Sequence, residues 1–180
     1  PECIQCDLEY REGTFKYYNP KILPGSFLYP IVTFKENQVK NKSNDFMSLL
    51  NYYVTVSDRR IIEAKWMIDS RKKIKNILPT LERYQASLFQ LKAHLSKEEW
   101  DSSAKQENKM AQLVMNHLIQ QVNLIDSSYK DNIIGYNHRL VLAQAYNEIL
   151  EIGELANKKI WITDTISKKY IFDLPKNGKY

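Results

Sequence analysis

The chain has 180 residues, 26 Lys and Arg against 21 Asp and Glu, and a formal charge of +5. A hydrophobic share of 43% and a charged share of 26% exclude a mostly disordered or collagen-like chain. No apolar run approaches the roughly 18 residues of a membrane helix, so no membrane span is expected. Only five glycines are present, which argues against Gly-rich phosphate loops and turn-dense all-β folds.

The length fits one domain over residues 1–180. Three segments are distinguishable within it: an aromatic-rich, extended segment over 1–44, a helical bundle over 45–157, and a C-terminal β-hairpin and tail over 158–180. About 50 residues at the N-terminus are too few for an independent core, so that segment is expected to pack on the helical body. The charge is uneven: residues 58–75 carry net +4, residues 131–157 net −3 and residues 158–180 net +4. Oppositely charged helices within one domain attract each other, so the basic total does not by itself require a polyanionic partner.

In chain order, Pro1, Pro20 and Pro24 disfavour helix over residues 1–26. Ser26 to Phe34 is β-branched and aromatic and reads as a short strand, placed at an edge or broken by Pro30. Glu36 to Asn44 reads as a connector. Phe46 to Val56 fits helix or strand, with helix favoured because the pattern runs into Ile61, Ile62, Trp66, Met67 or Ile68, Ile74 and Ile77 at helical spacing. Pro79 is expected to end or kink that helix. Leu81, Tyr84, Leu88, Leu91 and Leu95 mark the next helical segment. Ser96 to Glu99 has the form of a capping box, and Trp100, Ala104, Ala111, Val114, Leu118, Val122 and Ile125 then form a long stripe. After a turn at Ser127–Asn132, the last helix carries Ile133 or Ile134, Leu140, Leu142, Tyr146, Ile149, Ile152 and Ala156. The two alternating runs at Lys159–Thr163 and Tyr170–Leu174 read as a β-hairpin. The expected fold is therefore mainly α: an elongated antiparallel three- or four-helix bundle with a small terminal β element, the C-terminal hairpin, which can pair with the N-terminal strand.

Cys3 and Cys6 are the only cysteines. Their spacing allows a structural disulfide, half a zinc site or a redox pair, and the disulfide is favoured. His94, His117 and His138 lie on separate helical segments without ligand spacing, so no metal and no cofactor is assigned. Pro1 in place of Met agrees with a processed, exported product, and Asn41-Lys42-Ser43 matches a glycosylation sequon.

Arg59, Arg60, Arg71, Lys72, Lys73 and Lys75, with Lys65 between them, could grip phosphates of nucleic acid or anionic lipid. The plainer reading is a solvated helix face, with Asp58, Glu63 and Asp69 interrupting the patch and cations placed near a helix C-terminus. Trp66 and Trp100 sit on helical stripes and are expected in the core. Tyr17, Tyr18, Phe27, Tyr29, Trp161 and Ile171 are the candidate partner-contact residues. No serine-nucleophile, P-loop, dinucleotide-binding or metalloprotease motif is present, and no catalytic residue is assigned.

These features fit a non-enzymatic, exported protein–protein interaction protein, of the kind represented by secretion or pilus accessory factors, adhesin-like factors or immunity proteins. Its partner would be another protein, with a homo-oligomer also possible. An intracellular nucleic-acid-associated protein using residues 59–75, and a redox or metal-binding protein using Cys3 and Cys6, are the competing classes.

Overall fold

Why the helices begin and end where they do explains most of the architecture. The computed structural model describes residue 15, residues 17–97 and residues 104–158. Among the described residues there are five α-helices, α1 (Tyr29–Lys42), α2 (Phe46–Ser70), α3 (Ile77–Leu95), α4 (Ala104–Tyr129) and α5 (Tyr136–Asn157), and a 3₁₀ turn at Ile74–Asn76.

Helix α1 corrects the expected strand at Ser26–Phe34 and the expected connector after it. Its inner face carries Tyr29, Val32 and Glu36, all buried. Its outer face carries Ile31 and Phe34, both exposed, continuing from exposed Phe27 in the preceding turn. With apolar residues on both faces, the segment shows no helical period and imitates a strand in composition. Pro30 lies at the helix start, where its missing N–H removes no helical hydrogen bond.

Asp45 caps α2: its Oδ1 accepts the Ser48 amide at 2.9 Å, and the Ser48 hydroxyl donates to Oδ2. Hydrogen bonds from Ser48 hold the Asp45 carboxyl below its ordinary pKa. The favoured helical reading of Phe46–Val56 agrees with this helix. Its end differs from expectation. Arg71 turns left-handed (φ 56°) and its amide closes on the Ile68 carbonyl; Lys73 is left-handed as well (φ 52°). The break thus comes eight residues before Pro79. Pro79 instead lies in the first turn of α3, where backbone amides have no intrahelical acceptor to lose. Ser96 ends α3 by donating from Oγ to the Lys92 carbonyl at 2.8 Å. The Glu98 and Glu99 half of the expected capping box lies outside the described residues.

Helices α2, α3, α4 and α5 form the bundle, and α1 lies against α2. Helix α2 packs on α3 and α4, and α5 packs on the same two. The sequence-adjacent pairs run antiparallel: His94 at the end of α3 stacks on Phe46 at the start of α2, and Arg139 near the start of α5 donates to the Tyr129 carbonyl at the end of α4. The other two neighbouring pairs, α3 with α5 and α2 with α4, run parallel, as they must when consecutive helices alternate in direction around a square. Gln85 meets Gln144 while Lys92 meets Glu148 and Glu151, so α3 and α5 advance together. Likewise Asp58 meets His117 while Arg71 meets Asp131, just past α4.

The expected stripes fill the interior. Leu81, Tyr84, Leu88, Leu91 and Leu95 of α3, Ala111, Val114, Leu118, Val122 and Ile125 of α4, and Leu142, Tyr146, Ile149, Ile152 and Ala156 of α5 are all buried. Leu140 is exposed instead, and Ile134 in the preceding turn takes an inward place. The expected C-terminal hairpin lies outside the described residues. No described helix is long and apolar enough to cross a membrane.

Candidate functional site

The middle of α2 is polar and yet buried. Ile61, Ile62, Trp66, Met67 and Ile68 spread around the whole helix circumference at 100° per residue, leaving no broad face for solvent. The polar residues among them, Ser57, Asp58, Arg59, Arg60 and Glu63, are consequently all enclosed. Two networks satisfy them, on opposite flanks of the helix.

The first joins α2 to α1 through two guanidiniums and two carboxylates. Arg59 Nε donates to Glu63 Oε1 at 2.9 Å and lies 3.5 Å from Glu36 Oε1. Arg60 Nη1 reaches Glu63 Oε2 at 3.1 Å and the Tyr29 hydroxyl at 2.7 Å, while its Nη2 donates to Glu36 Oε2. Tyr29 in turn donates to Glu63 Oε2 at 2.8 Å. The four charges cancel, which is what allows them to be buried together. Burial works against the Arg60 charge, but Glu63 and Glu36 outweigh it and raise its pKa. Burial, reinforced by Glu63, pushes the Tyr29 phenol far above its ordinary value, so it remains a neutral donor. At the cluster's edge, burial together with Glu36 pushes Tyr52 up to about 12.

The second network joins α2 to α4 and α3. The Asp58 carboxylate pairs with His117 Nδ1 at 2.5 Å and accepts from Gln121 Nε2 at 2.6 Å. Gln121 Nε2 also reaches Ser57 Oγ at 3.0 Å, and Gln121 Oε1 accepts from the Tyr84 hydroxyl at 2.7 Å. Burial raises the Asp58 pKa, with His117 and Gln121 opposing it. The Phe15 ring stands edge-on to His117, closing the network on that side. The geometry resembles a carboxylate orienting an imidazole, but the hydroxyl groups on the network, Ser57 and Tyr84, bond to Gln121 and not to the imidazole.

The basic stretch is split by this arrangement. Arg59 and Arg60 are enclosed by carboxylates, which neither a phosphate-gripping patch nor a solvated face anticipates. Arg71 pairs with Asp131 at 2.6 Å, and Lys72, Lys73 and Lys75 are exposed at the far end of the helix. Among the candidate partner-contact residues, Tyr29 is turned inward as the anchor of α1. Tyr18 is half-buried. Tyr17 is exposed; partial burial and Asp69 raise its pKa. Phe27 is 96% exposed. Cys3, Cys6, Trp161, Ile171 and Trp100 lie outside the described residues. Trp66 packs against the core as expected, with Lys72 Nζ 5.7 Å from its ring centroid.

Glu36, Asp58, Glu63 and Gln121 were not singled out from sequence as members of a site. The apolar residues encircling α2 are the signal that could have revealed Asp58 and Glu63. Nothing local marks Glu36, whose partners lie more than twenty residues away. Among the described residues, no group of three or more His, Cys, Asp or Glu side chains is placed to hold a metal ion.

The molecule is thus a four-helix bundle with a fifth helix tied to it through a buried ionic cluster. Residues 21–124, which run from the turn before α1 through most of α4, match the family described as "Domain of unknown function (DUF5667)". This match covers more than half of the chain and includes both polar networks; the chain belongs to that family. No curated protein and no solved structure matches the chain.

Proposed function

We propose that the protein is a non-enzymatic interaction module that binds another protein through the outer face of α1. The observation that carries this reading is the apolar ridge of Phe27, Ile31 and Phe34 at i, i+4 and i+7, with Leu28 and Val39 along its edge, all exposed. Ile31 and Phe34 lie on one side of α1, with Phe27 continuing the strip from the turn before it, as a helix-in-groove contact requires. Lys35 and Lys42 accompany the ridge, so the partner is one that offers an apolar strip with an acidic rim. The ionic cluster beneath fixes α1 in place and lowers the ordering cost of binding.

Export to a periplasm or cell exterior, with a disulfide between Cys3 and Cys6, completes the proposal, and a secretion-accessory, adhesin-like or immunity role agrees with it. The test is capture from native extract by the full chain and by an Ile31→Glu/Phe34→Glu variant. A partner retained by the parent and lost by the variant supports the reading; equal retention by both overturns it. Intact mass before and after reductant tests the disulfide, and two free thiols after purification from an oxidising compartment without reductant would remove it.

A further inference from the structure

Among the described residues, the two ends of the bundle differ in what they expose. One is formed by the α1–α2 connection at 43–45, the end of α3 at 96–97, the start of α4 at 104 and the end of α5 at 158, and among the described residues there the exposed ones are polar or charged. The other brings together three turns, and each presents a large apolar side chain. The turn before α1 presents Phe27 and Leu28, the α2–α3 connection presents Ile74, and the start of α5 presents Tyr136, which is 76% exposed.

The first two of these turns are clasped to each other. Lys73 Nζ donates to the Gly25 carbonyl at 2.9 Å, and Asn76 Nδ2 donates to the Pro24 carbonyl at 3.2 Å. Gly25 is required there: its φ is +78°, and a Cβ would meet Asn76 Nδ2 at 2.2 Å. Arg71 joins the third turn through Asp131 and Asn132.

Cations dominate the same end. Lys72, Lys73 and Lys75 are exposed around Ile74. The nearby carboxylates already have partners, Asp131 with Arg71 and Asp69 with Lys65. Arg71 and Lys73 both adopt left-handed backbone, which costs free energy for residues other than glycine and holds the basic turn folded back against the turn at Pro24–Gly25.

We infer that this end of the bundle docks on the headgroup surface of an anionic lipid bilayer, with Phe27, Leu28 and Ile74 entering the interface and Lys72 and Lys75 meeting the phosphates. Protruding apolar side chains ringed by lysines combine the two attractions that hold proteins at such surfaces. Phe27 and Tyr136 are rings on which a base can stack, but the apolar residues they stand with, Leu28 and Ile74, are aliphatic and suit a lipid interface better than a base. The lipid-facing end shares Phe27 and Leu28 with the α1 ridge, whereas Ile31 and Phe34 belong to the ridge alone and Ile74 with the lysines belongs to this end alone.

The test is co-sedimentation of the full chain with vesicles of phosphatidylcholine alone or mixed in equal parts with phosphatidylglycerol. The protein is expected to pellet only with the anionic vesicles and to be released as salt screens the lysines. Lys72→Glu/Lys75→Glu should lower partitioning by roughly 25-fold, about fivefold per lysine. Phe27→Ser should lower it by roughly tenfold. Both variants change exposed positions, and an unchanged far-UV spectrum confirms their fold. The Ile31→Glu/Phe34→Glu variant should still pellet. Failure to pellet with anionic vesicles at low salt overturns the inference, as does equal pelleting by parent and both variants. Loss through the lysine variant with indifference to Phe27→Ser, accompanied by retention of single-stranded RNA, assigns this end to nucleic acid and also overturns it.

Discussion

The two buried networks lie on opposite flanks of α2 and solve the same problem differently. Toward α1, Arg59, Arg60, Glu36, Glu63 and Tyr29 form a charge-balanced ionic cluster, in which every long side chain reaches more than one partner. Toward α4, Ser57, Asp58, Gln121 and Tyr84 form a chain of hydrogen bonds around one carboxylate and His117. The ionic cluster attaches an otherwise lightly packed helix, so its bonds set the position of α1. The hydrogen-bonded chain lies within the bundle, where apolar packing on three helices already fixes the geometry. A polar contact therefore carries most weight where little apolar area supports it.

The largest difference between the networks should appear on truncation of Glu63, which is fully buried. Glu63→Ala leaves two guanidiniums facing one carboxylate and should cost about 3–5 kcal/mol in urea unfolding. The loss should be accompanied by earlier proteolysis within α1 than in the bundle; equal protection of both regions would show that α1 does not depend on the cluster. A smaller effect is expected from Tyr84→Phe, which leaves Gln121 Oε1 without its donor and should cost about 1–3 kcal/mol without loosening α1.

The smallest and most specific effect is a dependence on pH. Burial raises the Asp58 pKa in the folded state, so the native protein binds this proton more readily than the unfolded chain does. Ionised Asp58 therefore costs stability above its folded pKa, and the cost is relieved as pH falls through that value toward the ordinary carboxylate range. Relative to Asp58→Asn, the parent should gain stability as pH falls from neutral into that range. A stability difference independent of pH would show that burial does not govern this carboxylate.

The sequence was most informative where one helix has one apolar face. The stripes on α3, α4 and α5 were legible because each faces a single interior and keeps a period near 3.6. Helix α1 was misread because Phe27, Ile31 and Phe34 outside are as apolar as Tyr29 and Val32 inside, which removes the period. The end of α2 was misplaced because Pro79 is a stronger signal than Arg71 or Lys73, yet those two residues adopt the left-handed turn. The Asp45 cap was present in the sequence and passed over in favour of Ser96, whose hydroxyl bonds backward to α3.

The sequence by itself thus determined a mainly helical protein, the core residues of three helices, and a cluster of cations before Pro79. These are properties of neighbouring residues along one chain segment, set by helical periodicity and side-chain chemistry. Only the tertiary structure decided that Arg59 and Arg60 are enclosed while Lys72, Lys73 and Lys75 are exposed. It also decided that α3 packs beside α5, and that Phe27 shares an end of the bundle with Ile74. Each of these depends on a partner distant in sequence: Glu36 for the arginines, Glu148 and Glu151 for the placement of α5, Asn76 for the turn at Gly25. A charge is buried or exposed according to what packs over it, and no local pattern in α2 records that α1 folds back onto it.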